Sequence, residues 1–197
     1  MTSPAFDRLK ATAAGITRLS KEDMDSFCAA ASPAEYKKGQ PLLKEGEICK
    51  RIFFIDSGYL RTYHTQDGLE INTGLHFEGS FVTNLKSLLT GAPSTSFIAA
   101  AEPALVYVFT KEKMMELYAQ SPPILDFGKR LLENIAIQQE EHLELFKLYS
   151  AEQRFRHIEQ HQPEMLQRVP LSWLASYLGV ARETLSRFRK NSSSPRL

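Results

Sequence analysis

The spacing of apolar and polar positions changes twice along the 197-residue chain. Up to residue 32 it fits short helices, and Ser20 followed by Glu22 and Asp23 is typical of a helix N-terminus. Pro33 is expected to end this helical segment. From residue 36 to 110, short runs of β-branched and aromatic residues predict strands. After Lys111 the pattern changes again, and from Ile124 apolar residues follow the three- and four-residue spacing of a helix. The pattern therefore predicts helices, a β-domain and further helices.

The middle region contains three runs typical of strands, at residues 51–56, 59–65 and 105–110. Asp67-Gly68 separates two strand-like stretches, and this dipeptide can adopt the positive φ angles of a type I′ hairpin turn. Glycines recur at a roughly even spacing, at Gly39, Gly46, Gly58, Gly68, Gly79 and Gly91. Many short strands with regular turns predict a jelly roll or barrel.

Residues 124–147 form a long run in which Gly128 is the one glycine and proline is absent. Pro122-Pro123 can open a helix there, and about 24 residues would extend roughly 36 Å. One stripe at helical spacing consists of Ile124, Phe127, Leu131, Ile135, Gln138, His142 and Leu145. A second apolar edge consists of Leu125, Leu132, Leu143 and Phe146. The helix either packs on its own β-domain alone or also pairs with a second copy, and the second edge favours pairing. A shorter helix is predicted at about residues 151–161.

The segment from Leu171 to Lys190 matches the helix-turn-helix template. The first helix would turn Leu174 and Leu178 inward, and Gly179 would occupy a turn that needs a positive φ angle. The other concordant positions are the small Ala175 and the core-facing Val180, Leu185 and Phe188. With Leu185 and Phe188 inward, the outward side chains of the second helix are Arg182, Glu183, Ser186, Arg187 and Lys190.

The outward side chains of this second helix have the chemistry of DNA recognition. Arginine can pair with guanine in a bidentate manner, and glutamate can accept a hydrogen bond from cytosine. Thr184, Arg189 and Lys190 suit contacts to phosphates, which position a helix without specifying sequence. The alternative is an ordinary solvated amphipathic helix, and the matching two-helix scaffold favours the DNA interpretation.

Charge and composition agree with a soluble protein that has a basic end. Apolar residues make up 43% and charged residues 24% of the chain, and the net charge is +1. Residues 180–197 carry five basic residues and one acidic residue, a net +4, which leaves −3 for the rest. This asymmetry indicates a polyanionic partner at the C-terminal end. We find no signal peptide and no apolar stretch of the roughly 20 residues that span a bilayer, so we expect a cytoplasmic protein without membrane contact. Cys28 and Cys49 fit no disulfide framework or cluster motif.

These features together resemble the CRP/FNR transcription regulators over nearly the whole chain. Residues 38–46 and 54–58 are similar to the glycine-marked start of that family's cyclic-nucleotide-binding β-roll. The family's base-reading pattern, Arg-Glu-x-x-x-Arg, is matched by Arg182, Glu183 and Arg187, and Ser186 matches the FNR-like branch. The resemblance implies an α+β fold with an N-terminal double-stranded β-helix (a jelly roll), a long dimerisation helix and a C-terminal helix-turn-helix domain. The implied domains are a sensor roll at 1–121, the dimerisation helix at 122–148 and the DNA-binding domain at 149–197.

The chain departs from the family's cAMP binders at the phosphate-binding cassette. Thr83 stands in place of a glycine, Asn84 in place of the ribose-binding glutamate, and Ser94 in place of the phosphate-binding arginine. The candidate ligand pocket is Thr83, Asn84, Leu85, Ser94 and Thr95. Because a buried phosphate needs a compensating cation, we expect no ordinary cAMP binding, and an unknown small-molecule effector or none.

Two further departures concern DNA binding and metals. Ala181 occupies the position of a capping serine, which costs about 1 kcal/mol of helix stability. Residues 191–197 are expected to form a loose tail without a winged strand. The cluster cysteines of the oxygen-sensing members are absent, and His64 and His76 are interpreted as structural rather than as metal or haem ligands.

We therefore predict a homodimeric bacterial transcription regulator that binds double-stranded DNA and is not an enzyme. RNA polymerase is a further candidate partner. One alternative keeps the sensor fold as an interaction module with lost or weak operator binding. A second alternative is an enzyme on a cupin-like jelly roll, which would need clustered metal ligands. The histidines do not form such a cluster in sequence: His64, His76, His142, His157 and His161.

Overall fold

The computed structural model describes residues 6–192, so most of the predicted loose tail lies outside the described residues. The N-terminal helices are Asp7–Ile16 (α1) and Lys21–Ala30 (α2). The strands are Ser32–Tyr36 (β1), Pro41–Leu43 (β2), Arg51–Ser57 (β3), Leu60–Gln66 (β4), Leu69–His76 (β5), Phe81–Val82 (β6), Phe97–Ala100 (β7) and Ala104–Thr110 (β8). The remaining helices are Leu85–Thr90 (α3), Lys111–Gln120 (α4), Pro122–Leu148 (α5), Ala151–His161 (α6), Pro163–Arg168 (α7), Leu171–Leu178 (α8) and Arg182–Ser192 (α9).

The strands form two four-stranded antiparallel sheets, ordered β1-β8-β3-β6 and β2-β7-β4-β5. Alternate side chains of both sheets meet in a buried core that includes Phe53, Leu60 and Val106. At the β4–β5 turn, Asp67 has a φ of 51° and Gly68 a φ of 75°, so the predicted hairpin is confirmed. The predicted jelly roll is confirmed as well.

The N-terminal region is helical as predicted, but the chain becomes extended earlier than expected. Ser20 caps α2, because its hydroxyl accepts a hydrogen bond from the Asp23 backbone N–H at 3.0 Å. Helix α2 ends at Ala30, and Pro33 lies inside β1 rather than at a helix end. Strand β1 is the outer strand of its sheet, where the missing N–H of proline is tolerated.

The long predicted helix is α5, which has 27 residues. Its N-terminal half is fixed in a helical layer over the roll, where the Phe27 ring lies 4.9 Å from the Phe127 ring and 4.8 Å from the Phe109 ring. Ile124, Phe127 and Leu131 are buried, whereas Gln138 is exposed. The apolar stripe is therefore fully buried only over its first turns.

Helices α3, α4 and α7 were not predicted. Thr110 caps α4 by accepting a hydrogen bond from the Lys113 N–H, and this helix packs against α5 where Gly128 leaves room for the Tyr118 ring. Pro163 is the first residue of α7, a position that tolerates proline. Within residues 6–192, no helix combines the length and the apolar character needed to cross a bilayer.

Candidate nucleic-acid interface and effector pocket

Helices α8 and α9 form the two-helix unit that the sequence predicts. Gly179 ends α8 with a φ of 68°, and the next amide, Val180 N–H, donates to Ala175 O at 3.0 Å. A left-handed residue at this place closes a helix C-terminus and turns the chain, and glycine adopts it without strain. The chain then enters α9 at Arg182.

The inward side of this unit is as predicted. Leu174, Ala175, Leu178 and Leu185 are at most 2% exposed. Val180 and Phe188 are half-buried against the same cluster. Burial of Leu185 fixes the rotation of α9 about its own axis, because successive residues of a helix point in directions set by its 3.6-residue period.

The outward side of α9 carries the three side chains that match the base-reading pattern. Arg182, Glu183 and Arg187 are all exposed, and we call them the reading face. Of the predicted phosphate contacts, Lys190 is exposed and Thr184 is half-buried. Ser186 is half-buried as well. The structure therefore brings the reading face together on one accessible surface.

Arg189 lies on the exposed part of α9 but is engaged within the protein. Its guanidinium donates a hydrogen bond to Leu166 O of α7 at 3.2 Å. This bond ties the C-terminal part of α9 to α7. It leaves Arg189 less suited to phosphate contact than the sequence pattern alone indicates.

The predicted effector pocket is occupied by its own polar side chains. Asn84 caps α3 by accepting from the Ser87 N–H at 3.0 Å, and its amide donates to Ser94 Oγ at 2.8 Å. The same amide lies 3.2 Å from Ser96 Oγ, and Ser94 in turn donates to Ser96 O at 2.7 Å. Ser94 and Ser96 are each 3% exposed. Ser87 and Ser96, which we did not predict from the sequence, complete this network.

The other pocket residues do not add a binding surface to this network. Thr83 donates to Arg51 O at 2.9 Å, Leu85 is half-buried, and Thr95 is exposed. Lys86, the nearby cation, is exposed on the surface of α3. The five predicted pocket residues thus supply neither a positive charge nor a cluster of open hydrogen-bond donors.

A cavity lies where the roll, α5 and the C-terminal helices meet. Its volume is about 710 Å³, and its lining includes His76, His142, Glu141, Glu144 and Tyr177. Burial, and secondarily the nearby His142, lowers the pKa of His76 to about 4. His76 Nε2 and Thr62 Oγ1 lie 2.9 Å apart.

The histidines of this junction do not make a metal centre. Burial also lowers the pKa of His142, whose ring contacts Tyr177. Over residues 6–192, no three or more His, Cys, Asp or Glu side chains are arranged to hold a metal ion. The neutral imidazoles therefore serve as polar groups within the junction.

The chain is similar to known proteins both in sequence and in fold. Residues 33–121 match the cyclic nucleotide-binding domain family. The fumarate and nitrate reduction regulatory protein of Vibrio cholerae is 28% identical over 178 residues, which are 84% of this chain and 70% of that protein. The structure of FixK2 from Bradyrhizobium japonicum has a TM-score of 0.68 and 18% identity, covering 82% of this chain and 83% of that one. The c-di-GMP-responsive global regulator CLP of Xanthomonas campestris has a TM-score of 0.65 and 18% identity, covering 90% and 96%.

Proposed function

We propose that the chain is a transcription regulator of the CRP/FNR type and that it binds operator DNA as a homodimer through α9. The match to the cyclic nucleotide-binding domain family and the similarity to the Vibrio cholerae regulatory protein support this proposal. The observation that carries this proposal is the orientation of α9. Leu185 is fully buried while Arg182, Glu183 and Arg187 are exposed. A helix with a buried anchor and an exposed Arg-Glu-Arg face is suited to the major groove, which admits one α-helix.

The three residues of the reading face would have different roles. Arg182 and Arg187 would each donate two hydrogen bonds to a guanine edge, and Glu183 would accept one from a cytosine amino group. Thr184, Ser186 and Lys190 lie beside this face and would contact phosphates, as would any part of Arg189 not held by Leu166. Phosphate contacts would set the register of the helix, and the reading face would specify sequence.

Helix α5 is the proposed dimer interface. Beyond its contact with the roll, it presents exposed apolar side chains on two sides. Leu125, Leu132 and Leu143, at 36%, 41% and 51% exposure, form one stripe at helical spacing, and Ile137 and Leu148, at 54% and 74%, lie on another side. An exposed apolar stripe along a long helix marks a protein contact. A second copy of α5 supplies a matching stripe through two-fold symmetry. The proposed division is a sensor roll at 1–121, a dimer helix at 122–148 and a DNA-binding head at 149–197.

A two-fold dimer would place two reading faces on one side of the DNA. Two such helices enter successive major grooves when they lie about 34 Å apart. We therefore propose a near-palindromic operator. Its half-sites would be centred about 10 base pairs apart.

The effector, where one exists, is proposed to differ from cAMP. The Asn84 amide is committed to Ser94 and Ser96, and no cation of the cassette compensates a phosphate charge. Calorimetric titration with cAMP and with cGMP should give no micromolar binding. Micromolar binding of either nucleotide would show that the cassette reopens, and this part of the proposal would then be wrong.

A gel-shift series on genomic fragments tests the proposed function. Binding should weaken steeply with salt on all DNA because phosphate contacts release counterions. At physiological salt a subset of fragments should stay bound, at affinities 10³-fold or more above the rest, on the order expected for specific regulators. Equal binding to every fragment would instead support an interaction module that has lost its operator.

A further inference from the structure

Helix α8 covers the free edge of a sheet in the roll. Strand β5 is the outermost strand in the order β2-β7-β4-β5, so no strand within residues 6–192 pairs with its outer N–H and C=O groups. Asn72 N–H donates to Ser176 Oγ at 3.0 Å, and Ser176 Oγ donates to Glu70 O at 3.2 Å. One hydroxyl of α8 therefore satisfies two backbone groups of an edge strand, which natural sheets must otherwise protect.

A buried arginine forms the second contact between the roll and α8. Arg61 is 6% exposed, and its guanidinium lies 4.0 Å from the Tyr63 ring centre and 4.2 Å from the Trp173 ring centre. It also pairs with Glu70 at 2.7 Å and donates to Asn72 Oδ1 at 3.2 Å. Because a desolvated cation between two aromatic faces is attracted to both, Trp173 is held on the roll.

A third contact lies just before α8, at Arg168. Its guanidinium donates two hydrogen bonds to the Glu78 carboxylate, both at 2.8 Å, and a further one to Glu102. The Tyr59 and Phe77 rings flank it, with centres 5.4 Å and 5.2 Å away. The hydrogen bonds from Arg168 lower the pKa of Glu78, so this carboxylate is charged at neutral pH.

These three contacts hold α8 and the residue Arg168 that precedes it on the roll. Other contacts attach α8 to α5 and α6, because Tyr177 contacts His142, and Arg154 donates to Leu178 O at 3.0 Å. A head joined to the roll only through α5 could pivot at residues 149–150, between α5 and α6. Contact with β5 removes that freedom. The reading face remains exposed in this docked arrangement, so docking is compatible with DNA reading.

We propose that Arg168, Trp173 and Ser176 are positioning residues that lock the head onto β5 and so set the separation of the two reading faces in the dimer. This inference rests on the proposed function. The preferred spacing between half-sites would then depend on the contacts between the head and the roll as well as on the pairing of two α5 helices. The sensor roll would then act on DNA spacing through the β4–β5 hairpin.

The test compares Arg168→Ala, Arg168→Lys and Ser176→Ala with the full-length wild-type protein. Arg156→Gln is the matched control, because it removes the same charge from an exposed pair with Glu152 within α6. The first measurement is amide hydrogen exchange at Asn72 without DNA. The second is affinity for DNA sites selected by the wild-type protein and then lengthened or shortened by one and two base pairs between the half-sites.

The proposal predicts that Ser176→Ala and Arg168→Ala speed exchange at Asn72 by roughly fivefold or more, the effect of losing about one hydrogen bond. Both variants should bind misspaced sites nearly as well as the selected spacing. Arg168→Lys should lie between them and wild type, since lysine keeps the charge but not the two-pronged geometry. Arg156→Gln should match wild type in both measurements.

Two results would overturn the inference. One is unchanged exchange at Asn72 in Arg168→Ala. The other is faster exchange with a spacing preference as steep as that of wild type. Failure of the wild-type protein to select any DNA sequence would instead refute the proposed function, and the exchange measurement would still report on the docking.

Discussion

The Arg61 guanidinium lies 4.2 Å from the centre of the Trp173 ring, so strand β4 of the roll and helix α8 share one stacked contact. The two residues are far apart in sequence but adjacent in the fold. Arg61 Nε is also buried and has no hydrogen-bond partner in the described part of the chain, so the aromatic stacking and the Glu70 pair must offset its desolvation. Helix α8 is therefore packed directly on the roll.

Substitution of Arg187 by alanine should relax sequence recognition at particular base pairs. Because the side chain is exposed on the reading face, its loss removes hydrogen bonds to a base edge worth about 1–3 kcal/mol. The check is affinity for a selected site and its single-base variants. Lys190→Ala is the matched control and should weaken all sites alike. Uniform weakening by Arg187→Ala would rule out base reading by this residue.

Substitution of Leu185 by alanine should destabilise the head by about 2–5 kcal/mol, because a fully buried leucine leaves a cavity. The single tryptophan, Trp173, lies in the head, so urea unfolding followed by its fluorescence reports on this region. Leu69→Ala is the control, since Leu69 is 70% exposed. Equal stability of the two variants would contradict the anchoring role of Leu185.

The double substitution Leu132→Glu and Leu143→Glu should convert the dimer to a monomer. Both side chains are exposed on α5, and burying a carboxylate in an apolar interface is costly. Sedimentation velocity measures the outcome directly. Ile48→Glu is the control, because Ile48 is 47% exposed and lies in the roll, in the loop between β2 and β3. A doubly substituted protein that stays dimeric would place the interface elsewhere.

Stability should fall on acidification partly because of His76. Its pKa is about 4 in the folded protein and about 6.5 when unfolded. The unfolded chain therefore binds the proton first, and the contribution is complete above pH 6.5 and lost as the pH falls towards 4. It amounts to at most about 3 kcal/mol per subunit.

Urea unfolding of wild type and His76→Gln at pH 7.5 and pH 4.5 measures this effect. Glutamine can keep a hydrogen bond to Thr62 but does not titrate. The free energy of unfolding should fall less for the variant than for wild type. An equal fall in both proteins would mean that His76 is hydrated and titrates normally in the fold.

The sequence predicted those elements whose conformation depends on residues that are close together in the chain. Asp67-Gly68 specified its hairpin because this pair tolerates positive φ angles. Gly179 and Leu185 fixed the turn and the rotation of α9 for similarly local reasons. The outward face of α9 followed from helical periodicity alone.

Contacts between distant segments could not be predicted in this way. Phe146 was assigned to the outer edge of α5, yet its ring packs against His142 and Tyr177, because α8 folds back onto α5. The Asn84–Ser94–Ser96 network and the Arg168–Glu78 pair depend on how the loops meet in space. The substitutions in the cassette were visible in the sequence, but the hydrogen bonds that close it were not.

The most direct test of the central claim is selection of bound DNA from a random double-stranded pool by the full-length protein. A homodimer that reads DNA through α9 should enrich an inverted repeat whose half-sites are centred about 10 base pairs apart, as expected for two recognition helices in successive major grooves. A pool that shows no enriched sequence after repeated rounds, or one enriched in an unrepeated motif, would contradict a homodimer that reads an operator through α9.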